Sequence, residues 1–284
     1  MSLLLSIIIP TCHRNDMLAK CLETLAPGKQ TLPFEKYEVI VSDDGTQSSA
    51  KEFISQHYPW AKWVKGPRKG PAANRNNGAK HASSEWLVFT DDDCLPASNW
   101  LEVYSNAIYS HPEINAFEGA IHPTDELEMQ QEFAECPVNK TGNNFWSANI
   151  AVKKELFWKV GGFDEGYFLA AQEDQQLKID IEKTSSILFV HDSVVFHPIR
   201  YNNWWKAIKS IPKQSKNYGR FAAKNKVYLG YNSLFLFYKE QFYFHLVALV
   251  RHFKSFKFKQ ASISFAWLFF GVTSNAFYFM IFKK

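Results

Sequence analysis

Three consecutive carboxylates, Asp91-Asp92-Asp93, follow directly on the apolar run Trp86-Leu-Val-Phe-Thr90. Adjacent negative charges repel one another, so such a triplet is costly unless a cation neutralises it. Oxygen ligands suit the hard divalent ions Mg2+ and Mn2+, which commonly bridge carboxylates to phosphates. The plainer alternative is a solvated acidic turn. A second acidic pair, Asp43-Asp44, ends another apolar run, Tyr37–Val41, just ahead of Gly45. Between the two clusters lies Lys65-Gly-Pro-Arg-Lys-Gly-Pro71, a basic, glycine-rich loop leading into a segment that contains Arg75. A loop of this kind at a helix N-terminus can hold anionic groups through backbone dipoles and side-chain charge, or it can simply be solvated. It lacks the spacing of a P-loop, and Pro10-Thr-Cys-His-Arg14 after the first apolar run excludes the dinucleotide fingerprint.

These groups act together only if a fold gathers them. Strand patterns over 3–9, 37–41, 61–64 and 86–90 alternate with helical patterns over 16–25, 51–56 and 72–81. That alternation predicts a parallel sheet covered on both faces, whose ligands bind beyond the carboxyl ends of the strands. Pro10-Thr11, Ser42-Asp-Asp44 and Asp91–Asp93 would then meet along one edge, the first strand being ended by Pro10. Further on, the patterns predict a helix over 99–111, a strand over 114–121 and a mobile polar loop over 123–144. A strand over 147–152, a turn-rich loop over 161–166, a helix over 172–181 and paired strand material over 187–196 follow.

In chain order, Ser6-Ile-Ile-Ile-Pro-Thr11, Val39-Ile-Val-Ser-Asp-Asp-Gly45, Ala73-Asn-Arg-Asn-Asn-Gly78, Phe89-Thr-Asp-Asp-Asp93, Gly161-Gly-Phe-Asp-Glu165 and Glu173-Asp174 resemble the motifs of the family-two glycosyltransferases with the GT-A fold. The resemblance covers roughly residues 3–198. It implies an α/β fold, a Rossmann-like mixed but mainly parallel sheet flanked by helices. It implies a nucleotide-sugar donor half over 1–98 and an acceptor and catalytic half over 99–199. Carried over by position, Pro10 and Thr11 border the nucleotide, Asp43 or Asp44 bonds the base, and Arg75 lies near base or diphosphate. Asp91, Asp92 and Asp93 match the acidic element that contacts ribose and metal. The triplet leaves the split open, with Asp91 and Asp92 toward the donor and Asp93, Asp91 and His197 toward Mn2+ or Mg2+. Glu173-Asp174 matches an acidic pair whose second member acts as catalytic base, which implies an inverting transfer, most simply from a uridine diphosphate sugar. The chain departs from the pattern at Gln175-Gln176-Leu177, where another acid is common, so the details of the acceptor stay open.

Outside the resemblance, His197, a lone histidine after an apolar strand, reads first as structural, and Trp146 reads equally as a sugar-stacking or a core aromatic. Gly161, Gly162 and Asp164 are expected to shape the acceptor side, because a double glycine allows close backbone approach. His13 and Arg14 are near enough in sequence to reach the donor. Two rivals are a sugar-phosphate nucleotidyltransferase, which wants a glycine-rich loop after the first strand, and a non-catalytic glycan-binding or membrane scaffold.

The 284 residues are 46% apolar, enough for a packed core. The net charge of +4 hides an asymmetry: 1–199 carry 17 Lys/Arg against 27 Asp/Glu, whereas 200–284 carry 15 against the single Glu240. The basic, aromatic C-terminal extension is expected to be helical and to associate with an anionic membrane surface or to pack on the catalytic part. Nucleic acid is not an expected partner beside an acidic catalytic half. Ala261–Phe282 is uncharged and long enough to span a bilayer, flanked by Lys254, Lys257 and Lys259 and by Lys283-Lys284, but Ser262, Ser264, Gly271, Thr273, Ser274 and Asn275 favour an interfacial place over a spanning one. A lipid-linked or other glycan acceptor fits such an extension by analogy. Cys12, Cys21, Cys94 and Cys136 form no CxxC pair, and the opening apolar run is short and lacks a basic leader. Both point to the cytoplasm, and the basic, aromatic extension to a peripheral place on the cytoplasmic face of the membrane.

Overall fold

The structure is a computed structural model that describes residues 4–47, 49–167 and 170–282, so Leu3 and the Lys283-Lys284 flank lie outside the described residues. The chain divides into two compact units, 1–200 and 201–284.

Unit one is built on an eight-stranded sheet. Its strands are β1 (Leu5–Thr11), β2 (Tyr37–Asp43), β3 (Lys62–Lys65), β4 (Trp86–Phe89), β5 (Leu95–Pro96), β6 (Ala116–Pro123), β8 (Ile150–Lys153) and β9 (Ile187–His197), with a separate two-residue β7 (Ala134–Glu135). The order is β3-β2-β1-β4-β8-β6-β9-β5. Every residue of β1 is buried, as expected of a β-branched run at the centre of a sheet covered on both faces. The two-residue side-chain period sends Leu5, Ile7 and Ile9 into one core and Ile8 into the other. The first core is closed by α1 (Asn15–Leu25), α2 (Lys51–His57) and α4 (Trp100–Ser110). The second is closed by α3 (Pro71–Lys80), α5 (Lys154–Lys159) and α6 (Glu173–Glu182).

β1 runs parallel to β2 and β4, and Thr11 stands opposite Asp43. The carboxyl ends of these strands therefore share one edge. Pro10 does not end β1: pairing with β4 stops at Ile8 opposite Phe89, and the last three residues pair with β2 alone. A missing N–H is tolerated where one flank of the strand is free. β8 runs antiparallel to both β4 and β6. The expected strand over 147–152 is thus shorter and begins at Ile150. The expected pair within 187–196 is one strand, β9, whose register against β6 shifts between Gly119 and Ala120.

Asn149 fills that irregularity. Its Oδ1 accepts from Trp100 Nε1 (2.8 Å) and Tyr104 Oη (2.7 Å), and its Nδ2 donates to the carbonyls of Ala120 (2.8 Å) and Ser193 (2.7 Å). A Cβ on Gly119 would stand 2.3 Å from Asn149 Nδ2, so only glycine leaves room. The 123–144 stretch is not a free loop throughout. Buried Glu118 accepts from Asn139 Nδ2 (2.7 Å) and from the backbone N–H groups of Asn143 (2.8 Å), Asn144 (2.7 Å) and Phe145.

Unit two is helical: α7 (Trp204–Lys224), α8 (Leu234–Lys254), and α9 (Phe258–Ala266) continuing through a π turn into α10 (Val272–Phe282). Its core is Ala222, Ala223, Tyr231, Phe237, Ala276 and Phe279. Gly219 lets α7 approach α10 closely, since a Cβ there would meet the Asn275 carbonyl at 2.9 Å.

Asn149→Ala strands the buried Trp100 and Tyr104 donors and two carbonyls, each such group costing about 1–3 kcal/mol. The variant should lose at least about 2 kcal/mol in urea unfolding; a wild-type midpoint would show that the network is not stabilising.

Candidate active site

A cleft of about 460 Å3 opens at the shared strand edge, and Thr11, Arg14, Asp44, Arg75, Asp91 and Arg200 are among its lining residues. Pro10 lines it as well. Asp44 and Asp43, though adjacent, part company. Asp44 faces the cleft, its Oδ1 accepting from the Arg68 backbone N–H at 2.8 Å. Burial pushes its carboxyl above the ordinary value, against the lowering pull of backbone hydrogen bonds from Arg68 and Gly70. Asp43 is turned the other way. Its carboxylate accepts from the backbone N–H of Gly45 (2.8 Å) and Ala50 (2.7 Å), Ser49 Oγ (3.0 Å) and Trp63 Nε1 (3.1 Å). It knits the β2–α2 connection and is not among the residues lining the cleft. Gly66 packs against this corner so closely that a Cβ would lie 2.2 Å from Asp44 Oδ1.

The three aspartates also separate. Asp91 lines the cleft and accepts from Arg75 Nη2 at 2.7 Å. Burial raises its carboxyl, but the Arg75 guanidinium beside it more than reverses this and leaves it below its usual value. Asp92 is fully buried, taking hydrogen bonds from Thr11 Oγ1 (2.6 Å) and Arg14 Nε (3.1 Å) and an ion pair from Arg14 Nη2. Burial pushes it up to about 7. The expected donor contact for Asp92 is therefore corrected: its oxygens tie the acidic turn to the end of β1. Asp93 is paired with Arg14 Nη1 (3.2 Å) and with Arg200.

Asp93 Oδ1 has no hydrogen-bond partner and faces His197 Nε2 at 3.6 Å. The other ring nitrogen, Nδ1, lies 2.8 Å from the Pro198 carbonyl, which can only accept, so Nδ1 carries a proton, and in the neutral imidazole Nε2 is the nitrogen left with a lone pair. Asp93, Cys94 and His197 bring ligand atoms within 4.8 Å of one another. An orphaned carboxylate oxygen beside an imidazole lone pair fits a divalent cation such as Mn2+. Burial holds the Cys94 thiol well above its usual value, so the hard pair Asp93 and His197 are the fitting ligands. Asp91 is directed instead to Arg75.

Arg75, on α3 and buried, links the two acidic groups. One guanidinium bonds Asp91 through Nη2 and Glu173 Oε1 through Nη1 at 3.1 Å. Glu173 and Asp174 occupy the first turn of α6, where the helix dipole favours negative charge. Burial, and next the neighbouring Asp174, push Glu173 up to about 7. Asp174 is also raised by burial, with Arg75 opposing and hydrogen bonds from Ser147 lowering it. Its Oδ1 has no hydrogen-bond partner.

Other expected residues serve the frame. Gly161 and Gly162 adopt φ of +95° and +68° in a turn. Asn76 on α3 docks this turn, accepting from the Phe163 N–H at 2.9 Å and donating to the Phe163 carbonyl at 2.8 Å. Asp164 Oδ1 accepts from the Gly166 N–H at 2.8 Å. Trp146 is half-buried against the first core and is not among the residues lining the cleft. Sequence reasoning missed Arg200 and Glu118 and undervalued Arg14. The signal for Arg200 was its place three residues beyond His197, at the end of a long strand; for Glu118, a lone carboxylate amid apolar strand residues.

Comparison with known proteins adds the following. The sequence profile of Glycosyl transferase family 2 matches residues 6–166. Glycosyltransferase AglE of Haloferax volcanii is 27% identical over 212 residues, 69% of this chain and 67% of its own. The GalNAc(5)-diNAcBac-PP-undecaprenol beta-1,3-glucosyltransferase of Campylobacter jejuni is 29% identical over 153 residues, 49% of this chain and 40% of its own. The chain spans between 47% and 67% of the length of the first-ranked relatives. Among solved structures, S. aureus TarS 1-349 in complex with UDP-GlcNAc superposes with a TM-score of 0.58 at 16% identity, over 96% of this chain and 90% of that one, a likeness of fold.

Glu173 and Asp92, both raised to about 7, keep in the folded state protons that an unfolded chain releases above about pH 4. Their contribution to stability is fully present below that pH and is lost as pH rises through about 7. Glu173→Gln should flatten the fall in urea-unfolding stability between pH 5 and pH 8, by up to about 3 kcal/mol. A wild-type slope in the variant would refute the assignment.

Proposed function

The chain belongs to glycosyl transferase family 2, and from that premise we propose that it is a metal-dependent, inverting enzyme transferring a sugar from a uridine diphosphate donor to a hydroxyl of a lipid-linked glycan. Membership sets aside the nucleotidyltransferase alternative. The observation that carries the reading is the single Arg75 guanidinium joining cleft-lining Asp91 to Glu173, which puts the acidic pair of α6 beside the donor cleft.

Asp44 and Pro10 border the place for the base, and Arg14, Arg68, Arg75 and Arg200 give the cleft the positive charge that a diphosphate requires. Asp93 and His197 would hold the divalent ion, which when bound would stabilise the charge building on the leaving diphosphate. The acceptor hydroxyl is a poor nucleophile until its proton is taken. Asp174 is the base: its Oδ1 has no hydrogen-bond partner, and Arg75 and hydrogen bonds from Ser147 lower its carboxyl against the larger raising effect of burial. Glu173, bonded to Arg75, positions the guanidinium. One direct displacement on the face opposite the diphosphate inverts the anomeric centre. The UDP-GlcNAc bound by TarS supports the donor class, and the undecaprenol-linked acceptor in the name of the Campylobacter relative supports the acceptor class. Residues 200–284 hold the enzyme peripherally at the cytoplasmic face of an anionic membrane, consistent with their basic, aromatic composition.

Asp174→Asn should lower kcat by about 10²–10⁴-fold while leaving the dissociation constant for UDP nearly unchanged by calorimetry. Equal turnover in variant and wild type would remove Asp174 as base. Asp93→Ala should abolish the gain in UDP affinity on adding Mn2+; identical titrations with and without Mn2+ in the wild type would refute the metal.

A further inference from the structure

We propose that the first three turns of α7 form a phosphate-binding groove for the headgroups of an anionic phospholipid bilayer. This rests on the membrane reading of residues 200–284 and goes beyond it by naming the site and the chemistry it recognises.

Lys206, Lys209, Lys213 and Lys216 recur at spacings of three and four, which places them on one face of the helix. All four are exposed. Like charges at these spacings destabilise a helix, and the only acid in residues 200–284 is Glu240. The row is therefore a concentration of positive charge that its own segment does not balance. It is also shaped. Asn203, Trp205, Lys206, Lys209, Ser210 and Lys213 line a hollow of about 450 Å3, giving three ammonium groups and an amide around one space, with the Ser210 hydroxyl donating to the Ala207 carbonyl. That donor set matches a phosphate monoanion or diester. Trp205 is 66% exposed beside it, and the ring is held edge-on against Trp204, with centroids 4.4 Å apart. Trp204 is in turn anchored to α9 through Nε1 to Ser262 Oγ at 2.6 Å. An indole at the rim of a cationic groove is the arrangement that settles at a membrane interface.

The rest of the unit decides between a bilayer and a soluble polyanion. Phe235, Phe244 and Phe253 on α8, Phe269 and Phe270 in the π turn, and Phe277 on α10 are each more than half exposed. Helix Phe258–Phe282 is long and apolar enough to cross a membrane. Nucleic acid offers phosphates but nothing to cover such an apolar surface, whereas a lipid bilayer offers both.

The test is co-sedimentation of the full chain with phosphatidylcholine vesicles, with and without phosphatidylglycerol. Each lysine near an anionic surface contributes about fivefold in partitioning. The triple variant Lys206→Gln, Lys209→Gln, Lys213→Gln should therefore bind on the order of 100-fold more weakly to phosphatidylglycerol vesicles. Lys239→Gln, Lys254→Gln, Lys257→Gln removes the same charge from the same unit and should lose less than about tenfold. Should the triple variant lose helix content by circular dichroism, Lys209→Gln alone should still weaken binding about fivefold. Equal losses in the two triple variants would overturn the groove while leaving the membrane reading standing. Wild-type protein that binds neither vesicle would overturn both. Binding to phosphatidylcholine alone at the same strength, or to single-stranded RNA in preference to vesicles, would equally reject an anionic-lipid site.

Discussion

The unit that carries chemistry depends on one buried cation. Arg75 sits on α3 beneath the strand edge, with Asp91 on one side and Glu173 on the other. Three carboxylates, Asp91, Glu173 and Asp174, so near one another in a low-dielectric corner would drive one another's pKa upward and protonate. The guanidinium alters that balance unevenly, holding Asp91 below its ordinary value while Glu173 stays raised. Burial lowers an arginine's own pKa, yet Asp91, Asp174 and Glu173 together raise it, so the charge stays put. A buried pair of this sort contributes little net stability, but losing one partner is severe because an uncompensated charge remains. Its consequence is positional: a β4 loop and an α6 terminus, 82 residues apart from Asp91 to Glu173, are held to one side chain.

Around that centre, polar groups that resemble site residues act as frame. Asp43 gathers the β2–α2 turn, Asp92 joins the acidic turn to Thr11 and Arg14, Glu118 gathers the 143–145 backbone, and Asn76 docks the double-glycine turn. The Glu118 contacts matter beyond their own loop. The segment they order presents the Asn144 carbonyl to Gln175 Nε2 at 2.5 Å and the Asn143 carbonyl to Lys178 Nζ at 2.9 Å, both on α6. The helix that carries Asp174 is thereby braced from the strand side as well as from Arg75. Asp43, Asp92 and Glu118 are each a buried acceptor with several donors, the arrangement that makes a loop rigid and its loss expensive.

The second unit follows other rules. Its core is small and largely aromatic, and much of its aromatic surface faces outward. Exposed apolar surface of this extent marks an interaction site. Cationic α7 stands beside the aromatic-rich α8 and α9–α10, and the proposed lipid site draws on both.

What the sequence determined by itself was local. β-branched runs, their two-residue period and the helical spacing of Leu18, Cys21 and Leu22 set the alternating elements, because these preferences act over a few residues. Ordered motifs marked the family, and the charge asymmetry separated the last 85 residues from the rest. Tertiary structure decided which member of each acidic cluster does what. Asp43 and Asp44, or Asp91, Asp92 and Asp93, differ by one position, and backbone direction alone sends one side chain into the cleft and its neighbour into the frame. It also decided that β8 runs antiparallel, that Pro10 stays within β1, and that Arg14 and Arg200 converge on Asp93 from opposite ends of unit one. Such pairings join residues up to 107 positions apart, and a contact made through space leaves no mark in the pattern of either segment alone.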